Sequence, residues 1–218
     1  MDDLMDSDGD IGVNRRRFLT VGGTSLLASA VLAACGSTGN SNASTASTTS
    51  TTVAASNDVA ILRTGSSLEH VMIDTYQKII DSGLVKTSTL VDAVKLFQSQ
   101  HKDHTTLLEA KTTDAGGRSY TQANPLVMHT VVTPRLAQLK TELDAVQLLY
   151  DLERVLASTC QSVTGTFQNK IYNVVLMGIG GAEADHAALL SHALGKPNLT
   201  TDGAFQKSDG AVAPDPNL

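Results

Sequence analysis

Six residues of this 218-residue chain combine side-chain types and spacings that could hold a cation: Glu69, His101, His104, Glu153, Glu183 and His186. In His101-Lys102-Asp103-His104 and in Glu183-Ala184-Asp185-His186, two donors stand three residues apart. That is about 60° around a helix, so each pair can converge on one point. Glu69 lies among Leu68, Val71 and Met72, and Glu153 among Leu152, Val155 and Leu156, which puts both on the inner stripes of any helices formed there. A carboxylate buried on such a stripe is costly unless paired or ligated, and a divalent ion compensates it.

Helical periodicity between Asp58 and Gly195 supplies the elements that must position these groups. The spacing predicts a first helix over about 59–81, ending at Ser82-Gly83, and a second over about 88–111 with Ser88 as its N-cap. A long connection over 112–133, broken by Gly116-Gly117 and Asn124-Pro125, leads to a third helix from Pro134 to about Thr164. A fourth runs from about Phe167 to Leu194 and is stopped by Gly195 and Pro197; its interior Gly178, Gly180 and Gly181 permit close helix approach. The two halves repeat each other. Leu68-Glu69 with Thr75-Tyr76-Gln77 recurs as Leu152-Glu153 with Thr159-Cys160-Gln161. Asp103-His104 with Leu107-Leu108 recurs as Asp185-His186 with Leu189-Leu190, in the same order and at nearly the same offset. Two matched αα-hairpins joined by a long crossover describe an all-α four-helix bundle.

With these motifs the chain resembles the ferritin-like superfamily, in particular the small ferritin-like domain proteins of bacterial envelopes, over about 59–195. The resemblance implies a di-metal pattern in which helices one and three each give a Glu and helices two and four each give Glu-x-x-His. Carried onto this chain, the ligands are Glu69, Glu153 and the full Glu183-x-x-His186, while helix two departs. There His101 stands where the pattern has Glu, beside His104. Iron or another divalent metal ion is the implied cofactor, and oxidation of Fe(II) by oxygen or peroxide the implied chemistry. Three carboxylates in place of four leave two divalent ions under-compensated in a low-dielectric core, and extra imidazole suits Zn or Cu relative to an oxygen-rich iron site. One ion per chain and weak or absent ferroxidase activity are therefore expected. Tyr76 and Cys160, each seven residues after a ligand Glu, lie near any metal, with core packing as their expected role. His70 and His192 fall beside the ligand stripes, His129 lies in the crossover, and Asp103 and Asp185 are either outer-shell partners or solvated.

The rest of the chain gives an address. Arg15-Arg16-Arg17-Phe18-Leu19 resembles a twin-arginine export motif, and the apolar, small-residue-rich stretch after it ends in Leu32-Ala33-Ala34-Cys35-Gly36, which resembles a lipobox. Residues 1–34 read as a signal, with Cys35 lipidated and the protein held at the outer face of the cytoplasmic membrane. The Ser/Thr-rich stretch 35–57 reads as a disordered tether, 58–195 as the bundle and 196–218 as a disordered tail. Beyond residue 34 there are 17 acidic and 13 basic side chains and no basic run, so nucleic acid is not an expected partner. With Cys35 committed to lipid, Cys160 has no mate for a disulfide. Aromatics are only 4% of the chain, so Leu, Val, Ile and Ala must build the core. No phosphate loop, nucleophile elbow or Cys-x-x-Cys is present. Two functions remain open: a membrane-tethered metal-binding protein, monomeric or dimeric and not a storage cage, or a metal-free helical lipoprotein that binds an envelope partner through its surface.

Overall fold

In the computed structural model, backbone is described for residues 48–196 and 210–218, and side chains for 57–196 and 210–218. The signal, lipobox and twin-arginine motif lie outside the described residues. The long helices are α1 (Thr48–Ser82), α2 (Ser88–Asp114), α5 (Glu142–Val163) and α6 (Lys170–Ala193). The crossover carries α3 (Pro125–Val127), a π-helical turn (Met128–Val132) and α4 (Thr133–Leu136). α1 packs on α2 and α5 on α6, and the two hairpins meet through α1 on α5 and α2 on α6. The protein is an all-α four-helix bundle, as the sequence repeats require.

Each long helix buries a stripe at helical spacing, and the ionisable residues fall on it in phase. On α6 the buried positions run Tyr172, Leu176, Ile179, Glu183, His186 and Leu190; on α2 they run Val94, Phe97, His101, Thr105 and Leu108. The polar layer divides the core in two. On one side, Val71, Tyr76, Phe97, Leu149 and Leu152 belong to one apolar cluster; on the other, Ile61, Leu62, Leu108, Val163 and Leu176 belong to a second. Close packing of α6 on α5 depends on Gly180, where a Cβ would stand 2.8 Å from the Cβ of Cys160. Gly178 and Gly181 face open space, so of the three interior glycines only Gly180 permits close approach.

Several boundaries differ from the sequence expectation. Helix α1 begins at Thr48, so 48–57, read as tether, is helical. Ser88 is the first helical residue of α2 and Thr87 is its N-cap, without a side-chain cap of its own. The expected third helix is divided. Pro134 lies in the first turn of α4, and the widened turn before it, closed by Thr133 N–H to Met128 O, makes room for a ring that cannot fit a regular helix interior. The chain then leaves helix over 137–141, and α5 restarts from a capping box in which Thr141 and Asp144 bond each other's backbone N–H. Residues 210–218, read as part of a disordered tail, lie on the bundle: Val212 N–H donates to Thr159 Oγ1 and Asp215 N–H to Thr64 Oγ1. Val212 and Pro214 close a small, mainly apolar cavity of about 20 Å³ beside Glu69 and Cys160.

The duplication extends to the helix starts. Glu142 accepts from Lys86 N–H, Thr87 N–H and the Thr87 hydroxyl, and so caps α2 from the other hairpin. Asp58, its counterpart in the first half of the repeat, accepts from Gln168 N–H and Asn169 N–H and so caps α6. Each hairpin's first helix thereby holds the start of the other's second. These bonds keep the Glu142 carboxyl below its ordinary range, the backbone donors Thr87 and Lys86 being the main cause. Replacing Glu142 by Ala should cost about 1 kcal/mol, the usual worth of a cap. A fall in Tm of roughly 2–4 °C is expected in thermal unfolding, and an unchanged Tm would show these bonds to be energetically idle.

Candidate metal centre

The structure brings all six sequence-selected residues into one buried layer. Donor atoms of Glu69, His101, His104 and Glu183 lie within 4.8 Å of one another, and so do those of His101, Glu153, Glu183 and His186. His101 and Glu183 belong to both groups, so the centre is two half-sites sharing a pair of residues. Each half-site draws on one unshared carboxylate and one unshared imidazole: Glu69 with His104, and Glu153 with His186.

The halves are not equally provided with hydrogen bonds. Glu153 Oε1 accepts from the Tyr76 hydroxyl at 2.5 Å and faces His101 Nε2 at 3.2 Å, while its Oε2 lies 3.4 Å from His186 Nδ1. Glu69 Oε2 lies 2.7 Å from His101 Nδ1 and 3.5 Å from His104 Nδ1. Glu183 differs: neither of its oxygens has a hydrogen-bond partner among the described residues, nor has His104 Nδ1. His104 Nδ1 stands 2.9 Å from Glu183 Oε1, an ion-pair separation without the alignment of a hydrogen bond. Native structures leave few such atoms, and a buried carboxylate without donors is costly.

Titration follows from this arrangement. Burial pushes the Glu183 carboxyl up to about 7, and the neighbouring charges of Glu69 and Glu153 add to the rise. Burial acts in the same direction on Glu153 and Glu69, but charge and hydrogen bonding from His101 outweigh it on Glu153, and hydrogen bonds from His101 and His104 outweigh it on Glu69, holding both carboxyls below their ordinary range. Burial also opposes the charged imidazoles, yet the carboxylates raise His104 and His186 to about 9 and His101 well above its usual value. With no cation bound, His101 is thus an imidazolium that links Glu69 on α1 to Glu153 on α5.

Outer contacts orient the ligands. His186 Nε2–H donates to Gln100 Oε1 at 2.8 Å, which turns Nδ1 into the centre, and the ring stacks on Phe97 with centroids 4.0 Å apart. Spacing alone gives no signal for Gln100, which sits off the inner stripe one residue before His101. Tyr76, expected to serve in packing, is also the donor to Glu153. The matching Cys160 is buried at the Glu69 end of the core, where burial first, then the charge of Glu69, pushes its thiol well up. Asp103 and Asp185 are exposed, which removes the outer-shell role from both. His192 and His129 are exposed as well. His70 is half-buried and pairs with Glu109 at 3.1 Å, away from the centre.

The donor set is carboxylate and imidazole, which fits a divalent transition metal, and both Glu183 oxygens and His104 Nδ1, buried without hydrogen-bond partners, belong to the centre. A family model described as ferritin-like domain matches residues 57–196. No curated protein and no solved structure matches the chain.

Proposed function

Because the chain belongs to the ferritin-like domain family, we propose that it is a lipid-tethered metal-binding protein of the cell envelope, holding iron or another divalent transition metal. The single observation that carries this is Glu183: a fully buried carboxylate with two oxygens lacking donors, beside a His104 Nδ1 in the same state. A cation between them supplies what the protein does not. Glu69, Glu153, Glu183, His101, His104 and His186 are the residues that would hold it. When bound, iron supplies one-electron Fe(II)/Fe(III) chemistry with oxygen or peroxide as the oxidant, which a site short of one carboxylate supports weakly.

The chain's own residues do the rest. Gln100 accepts from His186 Nε2–H and so keeps Nδ1 facing the centre, Tyr76 holds Glu153 in place, and the apolar clusters on either side exclude bulk water. The test is elemental analysis of the purified chain expressed with iron, manganese, zinc and copper available. A stoichiometric metal, lost in Glu183→Gln, is the expected result; only traces under every condition would overturn the proposal.

A second function has its own support. The His101 imidazolium already links Glu69 to Glu153 without a metal, and α6 exposes Ile171, Val174 and Met177 on its outer face. A metal-free bundle binding an envelope partner is the function these features favour, and the same elemental analysis separates the two.

Tethering follows from Cys35, with a monomer or dimer at the outer face of the cytoplasmic membrane. Among the described residues no helix is long and apolar enough to cross a membrane, so on this proposal attachment is by lipid. Wild-type protein should partition into detergent with the membrane fraction, and Cys35→Ser should remain uncleaved or move to the soluble fraction. Lys at both Arg15 and Arg16 should block export. An unmodified mature N-terminus with no membrane association rules the anchor out.

A further inference from the structure

We propose that the cavity at the Glu69 end of the bundle is a binding site for one small apolar molecule of the size of dioxygen, and that the C-terminal segment completes it. The site does not depend on a bound cation, so it goes beyond the metal proposal. All four long helices contribute to its wall: α1 through Ile61, α2 through Leu108, α5 through Val163 and α6 through Ile179. Val212 and Pro214, from the segment that returns to the bundle, close it. At about 20 Å³ the space holds one small molecule.

The polar groups of the wall favour an apolar occupant. A buried water needs about two to four polar partners. Thr159 gives its hydroxyl hydrogen to Val155 O and accepts from Val212 N–H, and Thr64 Oγ1 accepts from Asp215 N–H. Both hydroxyls thus hold the C-terminal segment in place, and the Cys160 sulfur is a weak partner at best. Cavities of this kind stay dry and take up apolar gases.

The space itself is owed to Gly65. A glycine weakens a helix interior, yet Gly65 stands inside α1 and forms part of the cavity wall. A Cβ there would lie 3.4 Å from Leu108 Cδ1 and 3.7 Å from Cδ2, at ordinary contact distance. The missing methyl is therefore open volume, in contrast to Gly180, where a Cβ would collide with Cys160. A route to the surface is present as well. Cys160 and Leu176 line both this cavity and a groove on the α5–α6 face beside Met177 and Ala184. A molecule held in the cavity adjoins Glu69 and so lies next to the centre proposed above.

The test uses dioxygen dissolved under pressure as a paramagnetic probe of the purified full chain, freed of metal by a chelator, with methyl relaxation read by NMR. In the wild type the methyl groups of Ile61, Leu108 and Val163 should gain roughly threefold or more in relaxation rate over those of Val71 and Leu149, which are also buried but belong to the other apolar cluster. Gly65→Ala should remove most of that excess. Gly178→Ala, whose Cβ meets open space on α6, should leave it intact. Val212→Gly, which opens the wall to solvent, should reduce it. Uniform relaxation in the wild type, an excess that survives Gly65→Ala, or an equal loss in Gly178→Ala overturns the site. An excess unchanged in Val212→Gly overturns the part given to the C-terminal segment. Since the protein is metal-free throughout, each of these failures is separate from a failure of the metal proposal.

Discussion

His101→Glu should raise the metal content of the purified protein from one ion per chain towards two, and should speed Fe(II) oxidation. The substitution converts His101-x-x-His104 into the Glu-x-x-His that α6 already has in Glu183-x-x-His186. It adds a fourth carboxylate, so ligand charge balances two divalent ions, and it removes the ring whose single lone pair confines binding to one half-site. The same change has a large structural consequence when metal is withheld. Glu69 and Glu153 lose the imidazolium between them, at 2.7 and 3.2 Å, and face another carboxyl in its place. Breaking a buried pair in this way costs about 3–5 kcal/mol, so the metal-free variant should melt roughly 6–20 °C below wild type. Metal should restore most of that difference. Elemental analysis, optical oxidation assays and thermal unfolding with and without Fe(II) measure the three effects. Two irons and rapid oxidation in the wild type, with no gain in the variant, would show that His101 does not limit the site.

How much of this was legible beforehand depends on which residues carry the signal. Glu69, Glu153, Glu183, His101, His104 and His186 could be found because helical phase and the repeat between the two halves of the chain fix them to inner stripes. Two periodicities over-determine each position, and the bundle brings all six together. Helix ends were less legible, because they are set by contacts distant in sequence. Thr87 is the N-cap of α2 through Glu142, which stands on another helix, and nothing local distinguishes it from Ser88. The restart at α5 did have a local signal, Thr141 with Asp144 three residues on, but unbroken apolar spacing masked it. The asymmetry of the centre was not legible at all. Tyr76 and Cys160 occupy equivalent positions, yet Tyr76 donates a short hydrogen bond to Glu153, whereas Cys160 lies beside Glu69 in the wall of an apolar cavity. Nor does sequence show that residues 212–215 return to α1 and α5, since two backbone hydrogen bonds leave no periodic trace.

Glu183 and Glu153 are the same residue type in the same layer, both fully buried, and they should answer replacement by Met in opposite ways. Glu153 is held by Tyr76, His101 and His186, so Glu153→Met strands three donors and should cost about 3–5 kcal/mol. Glu183 has no hydrogen-bond partner among the described residues, and burial lifts its carboxyl to about 7, the mark of an anion that the surroundings disfavour. Methionine fills nearly the same volume with an unbranched apolar chain. Removing an unsatisfied buried carboxylate should return about 1–3 kcal/mol to the metal-free protein, a rise in Tm of roughly 2–12 °C. The same substitution deletes the ligand common to both half-sites. Saturating metal should raise the wild-type Tm, by about 2.7 kcal/mol of stability at a hundredfold excess over Kd, and should leave Glu183→Met where it was. A centre that lowers the stability of its own metal-free fold is expected where a ligand is held ready for a cation. The decisive measurement is the Tm of metal-free Glu183→Met. A fall comparable to that of Glu153→Met would mean that the protein satisfies Glu183 by itself, and the strongest support for a metal at this site would be gone.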